Sequence, residues 1–188
     1  MKIHNCFRFL SLLDMLKPLN IKFEKAVRFL VEHMPLSDEN SRKPVLFHDI
    51  RVGVYLYENG YTDDVVMAGV LHDTIEWSDV GEKMLRREFG DNVADIVLVC
   101  TKNDAIADKE EKTIELIKRC AKNGQDALIV KTADIIDSFK WYSSQDNKDE
   151  LKYCLRNAKA ILKFKPTSYK DKIFDELRKW QNHEYGKI

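Results

Sequence analysis

Three short stretches of this chain place imidazoles and carboxylates inside otherwise apolar runs. They are RKPVLFHDIRVGVYL, with His48; VVMAGVLHDTIEW, with His72, Asp73 and Glu76; and ALIVKTADIIDSF, with Asp134. Val65, Val66, Ala68, Gly69, Val70 and Leu71 make the second run apolar nearly all round, which predicts a helix through the core rather than over its surface. An ionised side chain buried there costs several kcal/mol unless something pairs it, and a metal ion is a partner that could serve all three runs. His72 and Asp73 supply a nitrogen and a carboxylate from adjacent positions, and Glu76 is expected one turn after His72 on the same helix face. Taken singly the plainer readings hold: His48 as an ordinary buried histidine, Asp134 as a cap or a partner of Lys131, Glu76 as a solvated helix residue. Joined, they read as a metal site.

The elements that must position these groups are helical almost throughout. Only seven glycines and four prolines punctuate the chain, and β-branched residues rarely alternate with polar ones. Helices are expected at Phe7 to Leu16, stopped near Pro18; Ile21 to His33, stopped before Pro35; Leu46 to Glu58, closed by Asn59-Gly60; and Asp63 to Thr74, with Thr62 as N-cap. Others follow at Gly81 to Phe89, Asp91 to Thr101, Lys109 to Lys122, Gln125 to Ser138, Lys148 to Lys163, and Ser168 to about His183. The fold class expected is all-α, a bundle of roughly ten helices. The connections Met34 to Pro44 and Asn103 to Lys112 are too short for domain linkers. Residues 1–188 are therefore expected as a single domain, with a core at 21–141 and a helical extension at 142–188 packing on it.

With 188 residues the chain can bury a substantial core. Lysine plus arginine and aspartate plus glutamate number 31 each, so no overall field favours nucleic acid or an anionic membrane, and any phosphate binding must be local. Cys6, Cys100, Cys120 and Cys154 form no CxxC pair and read as reduced core residues. The opening segment is briefly like a signal peptide, but Arg8 and Asp14 interrupt its apolar middle and no cleavage site follows. A cytoplasmic location is expected.

The order histidine, His-Asp pair, distant aspartate resembles the HD-domain phosphohydrolases, and His48, His72, Asp73 and Asp134 occupy those places. Among these the sequence is most similar to the hydrolase domain of the bifunctional alarmone enzymes and their small stand-alone relatives, which remove the 3′-pyrophosphate from guanosine tetra- and pentaphosphate. The likeness spans Ala26 to about Trp141. It rests on VLHDTIE for LLHDTVE, FGDNVADIVLVCTK for FG..V..LV..VTK, and VKTADIID for IKLADRLHN. The resemblance implies an HD-domain bundle in which His48, His72, Asp73 and Asp134 hold one divalent ion, with manganese the first choice and iron or zinc as alternatives. Two imidazoles and two carboxylates suit such ions. A bound ion lowers the pKa of its water from 15.7 toward about 7, and Glu76 could take the proton or orient that water. Glu76 and Asp73 are thus the expected catalytic acids. His4, His33 and His183 sit in no matching motif, so a second ion is not expected.

Several positions depart from the family pattern. Trp77 stands where an aspartate follows the glutamate, and the nearest acid is Asp79. Val45 replaces a tyrosine, Asp49 the proline after the histidine, and Ser138 an asparagine that helps hold the nucleoside. Arg42 and Lys43 lie near the position of a phosphate-gripping basic pair, and Lys131 matches the family's lysine; each also has a plain reading as a solvated cation. Trp77 is expected in the core, with a lid over the pocket as the alternative. Beyond Trp141, two amphipathic helices are expected to complete the core or offer a homodimer surface rather than contribute chemistry.

The function expected is metal-dependent hydrolysis of a nucleotide or related phosphate ester, with an alarmone pyrophosphate as first candidate. Neither nucleic acid nor membrane is an expected partner. A catalytically silent HD domain that binds a nucleotide or a protein as a sensor is the alternative, motivated by Trp77 and Ser138. A helical interaction protein with purely structural histidines is the third reading.

Overall fold

The computed structural model describes residues 12–186. His4, Cys6 and the start of the helix expected at Phe7 lie outside the described residues. Among those described, the order is α1 (Leu12–His33), α2 (Val45–Glu58), α3 (Asp63–Leu71), α4 (Thr74–Trp77), α5 (Glu82–Phe89), α6 (Asp91–Cys100), α7 (Lys109–Asn123), α8 (Gln125–Ser144), α9 (Lys148–Phe164) and α10 (Lys172–Tyr185). The all-α expectation holds: no strand occurs among the described residues.

Apolar side chains on every face send α3 to the centre, and Val65 through Leu71 are all buried. It packs against α1, α2, α6 and α8. The second central rod is α8, buried continuously from Ala127 to Phe139 although that span includes Lys131, Asp134 and Asp137. Around α8 lie α2, α6, α7, α9 and α10. No helix among the described residues is long and apolar enough to cross a membrane. Cys100, Cys120 and Cys154 are free and buried.

Three expected boundaries are corrected. Helix α1 runs through Pro18; the missing N–H and the ring's clash with the preceding turn cost about 3 kcal/mol, which the rest of this long helix outweighs. The helix expected through Thr74 stops at Leu71, and His72 and Asp73 form a turn before α4 restarts. There the Thr74 hydroxyl donates to the Leu71 carbonyl at 2.6 Å, competing for the acceptor a continuing helix would use. Glu76 therefore belongs to a separate turn and does not share a helix face with His72. Helix α8 continues past Ser138 to Ser144, because Phe139 and Tyr142 extend its buried side.

The site depends on how closely α2 approaches α3. A Cβ built at Gly53 would lie 2.2 Å from Val70 Cγ2 and 3.2 Å from Phe23 Cε2. Valine is stiff at χ1 in a helix and cannot swing away. Gly53→Ala is expected to destabilise the fold by about 1–3 kcal/mol through overpacking, read as a lower urea midpoint at unchanged slope.

Candidate metal centre

Helix α2 brings His48 inward near its start, the turn after α3 presents His72 and Asp73, and the middle of α8 supplies Asp134. All four are at most 6% exposed. The imidazoles of His48 and His72 stand 5.2 Å apart, centroid to centroid, at an interplanar angle of 73°. His48 Nε2 lies 3.1 Å from Asp134 Oδ1. His72 Nε2 lies 3.6 Å from Asp73 Oδ1 and 3.8 Å from Asp134 Oδ1. The structure thus gathers the four residues that three separate apolar runs presented.

Both rings are held from behind. His48 Nδ1 donates to Asp137 Oδ2 at 2.6 Å, and Asp137 is gripped by Arg51 through Nε at 2.8 Å and Nη2 at 2.7 Å. Burial pushes the Asp137 carboxyl up, but His48 and Arg51 outweigh it and hold the pKa down at about 2. His72 Nδ1 donates to the Gly69 carbonyl at 2.8 Å, leaving Nε2 buried without a hydrogen-bond partner. These partners assign a proton to Nδ1 in each ring and turn Nε2 toward the cluster, against Asp134 Oδ1 at 3.1 Å in His48 and without a partner in His72, the arrangement that backs metal-bound histidines.

The charges fit a cation. Burial alone would lower the His72 pKa, yet Asp73, Asp49 and Asp134 raise it to about 10. Burial opposes ionisation of Asp73, but His72, Lys43 and Lys102 hold its carboxyl below the usual range. Asp134 is likewise held well down against burial, chiefly by Lys131 and Lys43. The donor chemistry, the close spacing and the orphaned His72 nitrogen together fit a divalent ion.

A cavity of about 790 Å³ opens beside this cluster, lined by Asp73 and Asp134 at its base and by Lys43, Lys102, Lys112 and Arg156 among its cations. Lys43 lies 3.7 Å from Asp134 Oδ1 and donates to Ser138 Oγ at 3.2 Å. Arg42 is at the rim, paired with Glu150 at 3.2 Å. Lys131 is placed differently. It is 2% exposed and donates to Asp134 Oδ2 at 2.7 Å, behind the carboxylate rather than among the cavity-lining residues. Glu76 lines the cavity, with one oxygen accepting from the Lys102 backbone N–H at 2.7 Å and the other from Lys102 Nζ. Trp77 is 42% exposed and lines the cavity, which corrects its expected place in the core. Asp79 faces outward beside His33, at 3.7 Å, with its side chain 85% exposed. Helix α9, expected to complete the core or offer a homodimer surface rather than contribute chemistry, lines the cavity through Glu150, Tyr153, Arg156 and Asn157.

Sequence reasoning gives no role to three residues here. Asp137 follows Asp134 by three positions, the same face of α8, a spacing visible in TADIID. Lys102 closes the VCTK stretch. Asp49 makes a second His-Asp doublet at 48–49, and is fully buried with both carboxylate oxygens unpartnered; burial pushes its pKa well above the usual carboxylate range. The doublet was the available signal.

Known proteins give this geometry a lineage. A family model described as "HD domain" matches residues 26–158. A guanosine-3′,5′-bis(diphosphate) 3′-pyrophosphohydrolase of Aquifex aeolicus is 25% identical over 69% of this chain and 19% of its own length. A GTP pyrophosphokinase of Streptomyces coelicolor is 34% identical over 53% of this chain and 12% of its own. MESH1 of Drosophila melanogaster, named a guanosine-3′,5′-bis(diphosphate) 3′-pyrophosphohydrolase, is 31% identical over 52% of this chain and 55% of its own. This chain therefore spans from about an eighth to about half of these relatives. Among solved structures, one described as a metazoan ortholog of SpoT that hydrolyzes ppGpp superposes with a TM-score of 0.69 at 19% identity, covering 87% of this chain and 95% of that one. Protein lmo0812 of Listeria monocytogenes superposes with a TM-score of 0.62 at 23% identity, covering 74% and 99%. With the matched span enclosing all four converging residues and most of the helices that position them, the chain belongs to the HD domain family.

Proposed function

We propose that this protein is a metal-dependent phosphohydrolase whose best candidate substrate is guanosine 3′,5′-bis(diphosphate), cleaved at the 3′-pyrophosphate. The observation that carries the reading is the convergence of His48 Nε2, His72 Nε2, Asp73 and Asp134 beside a cavity that Asp73 and Asp134 line together with several lysines and arginines. Relatives named for that activity support the substrate class. A divalent cation, manganese as first candidate, supplies Lewis acidity toward water and phosphoryl oxygen when bound.

The chain's own residues do the rest. Asp137 and the Gly69 carbonyl fix the two imidazole planes, so the donor atoms need little reorganisation. Lys43 and Lys102 place positive charge where phosphate oxygens would enter, and Arg42 and Arg156 extend it outward. Glu76 reaches the same cavity and is positioned to accept a proton once substrate draws Lys102 away from it. Lys131 acts through Asp134, holding the carboxylate ionised.

Purified protein is to be incubated with guanosine tetraphosphate and a nucleotide panel, with Mn²⁺ and with chelator. Manganese-dependent release of pyrophosphate is the expected result; absence of turnover across the panel would overturn the reading. The sensor alternative is favoured by one observation, the double hold of Lys102 on Glu76. It predicts a rise in melting temperature with nucleotide that is not consumed.

Metal binding should also release protons. Because His72 in the ion-free site titrates near 10, a cation arriving at neutral pH displaces at least one proton. Affinity for Mn²⁺ is therefore expected to rise by about tenfold per pH unit between roughly pH 6 and 9. Calorimetric titration in buffers of different ionisation heat measures the proton count; a count of zero would contradict it.

A further inference from the structure

Asp49 stands out among the buried acids because neither of its carboxylate oxygens is hydrogen-bonded. It is 0% exposed. The cations of the site are committed elsewhere: Lys43, whose charge reaches Asp49, to Ser138 and Asp134, Lys131 to Asp134, Lys102 to Glu76, Arg51 to Asp137. It does not serve as the support of a histidine either. His48 Nδ1 is taken by Asp137; His72 Nδ1 is taken by the Gly69 carbonyl at 2.8 Å, while Asp49 Oδ1 lies 3.6 Å from that nitrogen, beyond hydrogen-bond range. Yet one donor atom each from Asp49, His48, His72 and Asp73 lie within 4.8 Å of one another. A buried carboxylate left in this state costs several kcal/mol, and the partner that its surroundings suit is a cation shared with its neighbours.

We propose that Asp49 is a fifth protein donor to the metal centre, so that the seat comprises two imidazoles and three carboxylates. The inference rests on the metal-dependent reading above and adds selectivity to it. A third carboxylate makes the donor set richer in hard oxygen, which favours manganese over zinc relative to a two-carboxylate site. It also leaves one coordination position fewer for water and substrate. Asp49 would thereby set which ion the centre accepts and how many reactants that ion can hold.

The test uses the full chain, stripped with chelator and titrated separately with Mn²⁺ and Zn²⁺, beside Asp49→Asn and Asp49→Leu. The wild type is expected to bind one Mn²⁺. Both variants are expected to weaken Mn²⁺ binding by about 100-fold or more, at the upper end of what losing an outer partner costs, and to weaken Zn²⁺ binding less. The visible spectrum of the Co²⁺-loaded protein should change in both variants, reporting a lost donor. Melting of the ion-free proteins controls for folding: Asp49→Leu should melt no lower than the stripped wild type, since it removes an uncompensated group. Unchanged Mn²⁺ affinity in the variants would overturn the fifth donor while leaving the metal reading intact. Weaker binding with an unchanged Co²⁺ spectrum would overturn it too, placing Asp49 behind the donors. A wild type that takes up no ion would overturn the metal reading itself, and this inference with it.

Discussion

Asp73→Asn is expected to lower manganese-dependent hydrolysis by about 10³-fold or more while the protein still melts cooperatively. Asp73 neighbours His72 Nε2, at 3.6 Å, and lines the cavity. Asparagine keeps its size and removes its charge. The ion loses an anionic donor, and His72, Lys43 and Lys102 lose the carboxylate on which they converge. A bound metal contributes several kcal/mol to the transition state, and each 1.36 kcal/mol is a factor of ten in rate, so losing its proper seat amounts to about three orders of magnitude. Pyrophosphate release measures the rate, and Mn²⁺ titration of the same variant shows whether the loss follows occupancy. Wild-type turnover in Asp73→Asn would remove this residue from the centre.

Lys131→Met should cost about 3 kcal/mol of stability, among the largest effects expected of a single substitution here. Lys131 and Asp134 form an ion pair at 2.7 Å with side chains 3% and 5% exposed. Removing one partner of such a pair strands the other's charge, at about 3–5 kcal/mol. The lower figure applies because Asp134 keeps His48, Lys43 and the Ser138 hydroxyl nearby. Urea denaturation at constant slope measures it. The deficit is expected to be larger in chelator than with saturating Mn²⁺, since a cation gives the stranded carboxylate a new partner. A midpoint unchanged in both conditions would show that the pair contributes nothing to folding.

These residues also show what could be read from composition and spacing. The run 65–71 announced a buried helix because no face of it is polar, and the polar groups inside apolar runs announced His48, His72, Asp73 and Asp134. The break at His72 was not legible: the apolar pattern continues across VLHDTIE, and only the Thr74 hydroxyl on the Leu71 carbonyl ends the helix. For Lys131 the sequence offers phosphate, solvent or Asp134 as partners, because a lysine alone carries no sign of burial; its setting is decided by the tertiary packing of α8. Asp49 and Asp137 receive no role from spacing alone, because their tasks depend on distances between α2, α8 and the turn after α3. Pro18 marks a stop on local rules, whereas a proline's local cost is here outweighed by the helix around it.

The glycine at position 53 has a further implication. By admitting the Val70 side chain against the backbone of α2, it makes the bite between the two imidazoles depend on how closely α2 and α3 cross. The outer wall of the basin is carried by α7 and α9, which have no part in that crossing. Exchanging Lys112, Tyr153 or Arg156 could therefore retune which molecule is admitted without moving the jaws that close on the ion, so choice of guest and grip on the metal are inherited on separate stretches of polypeptide.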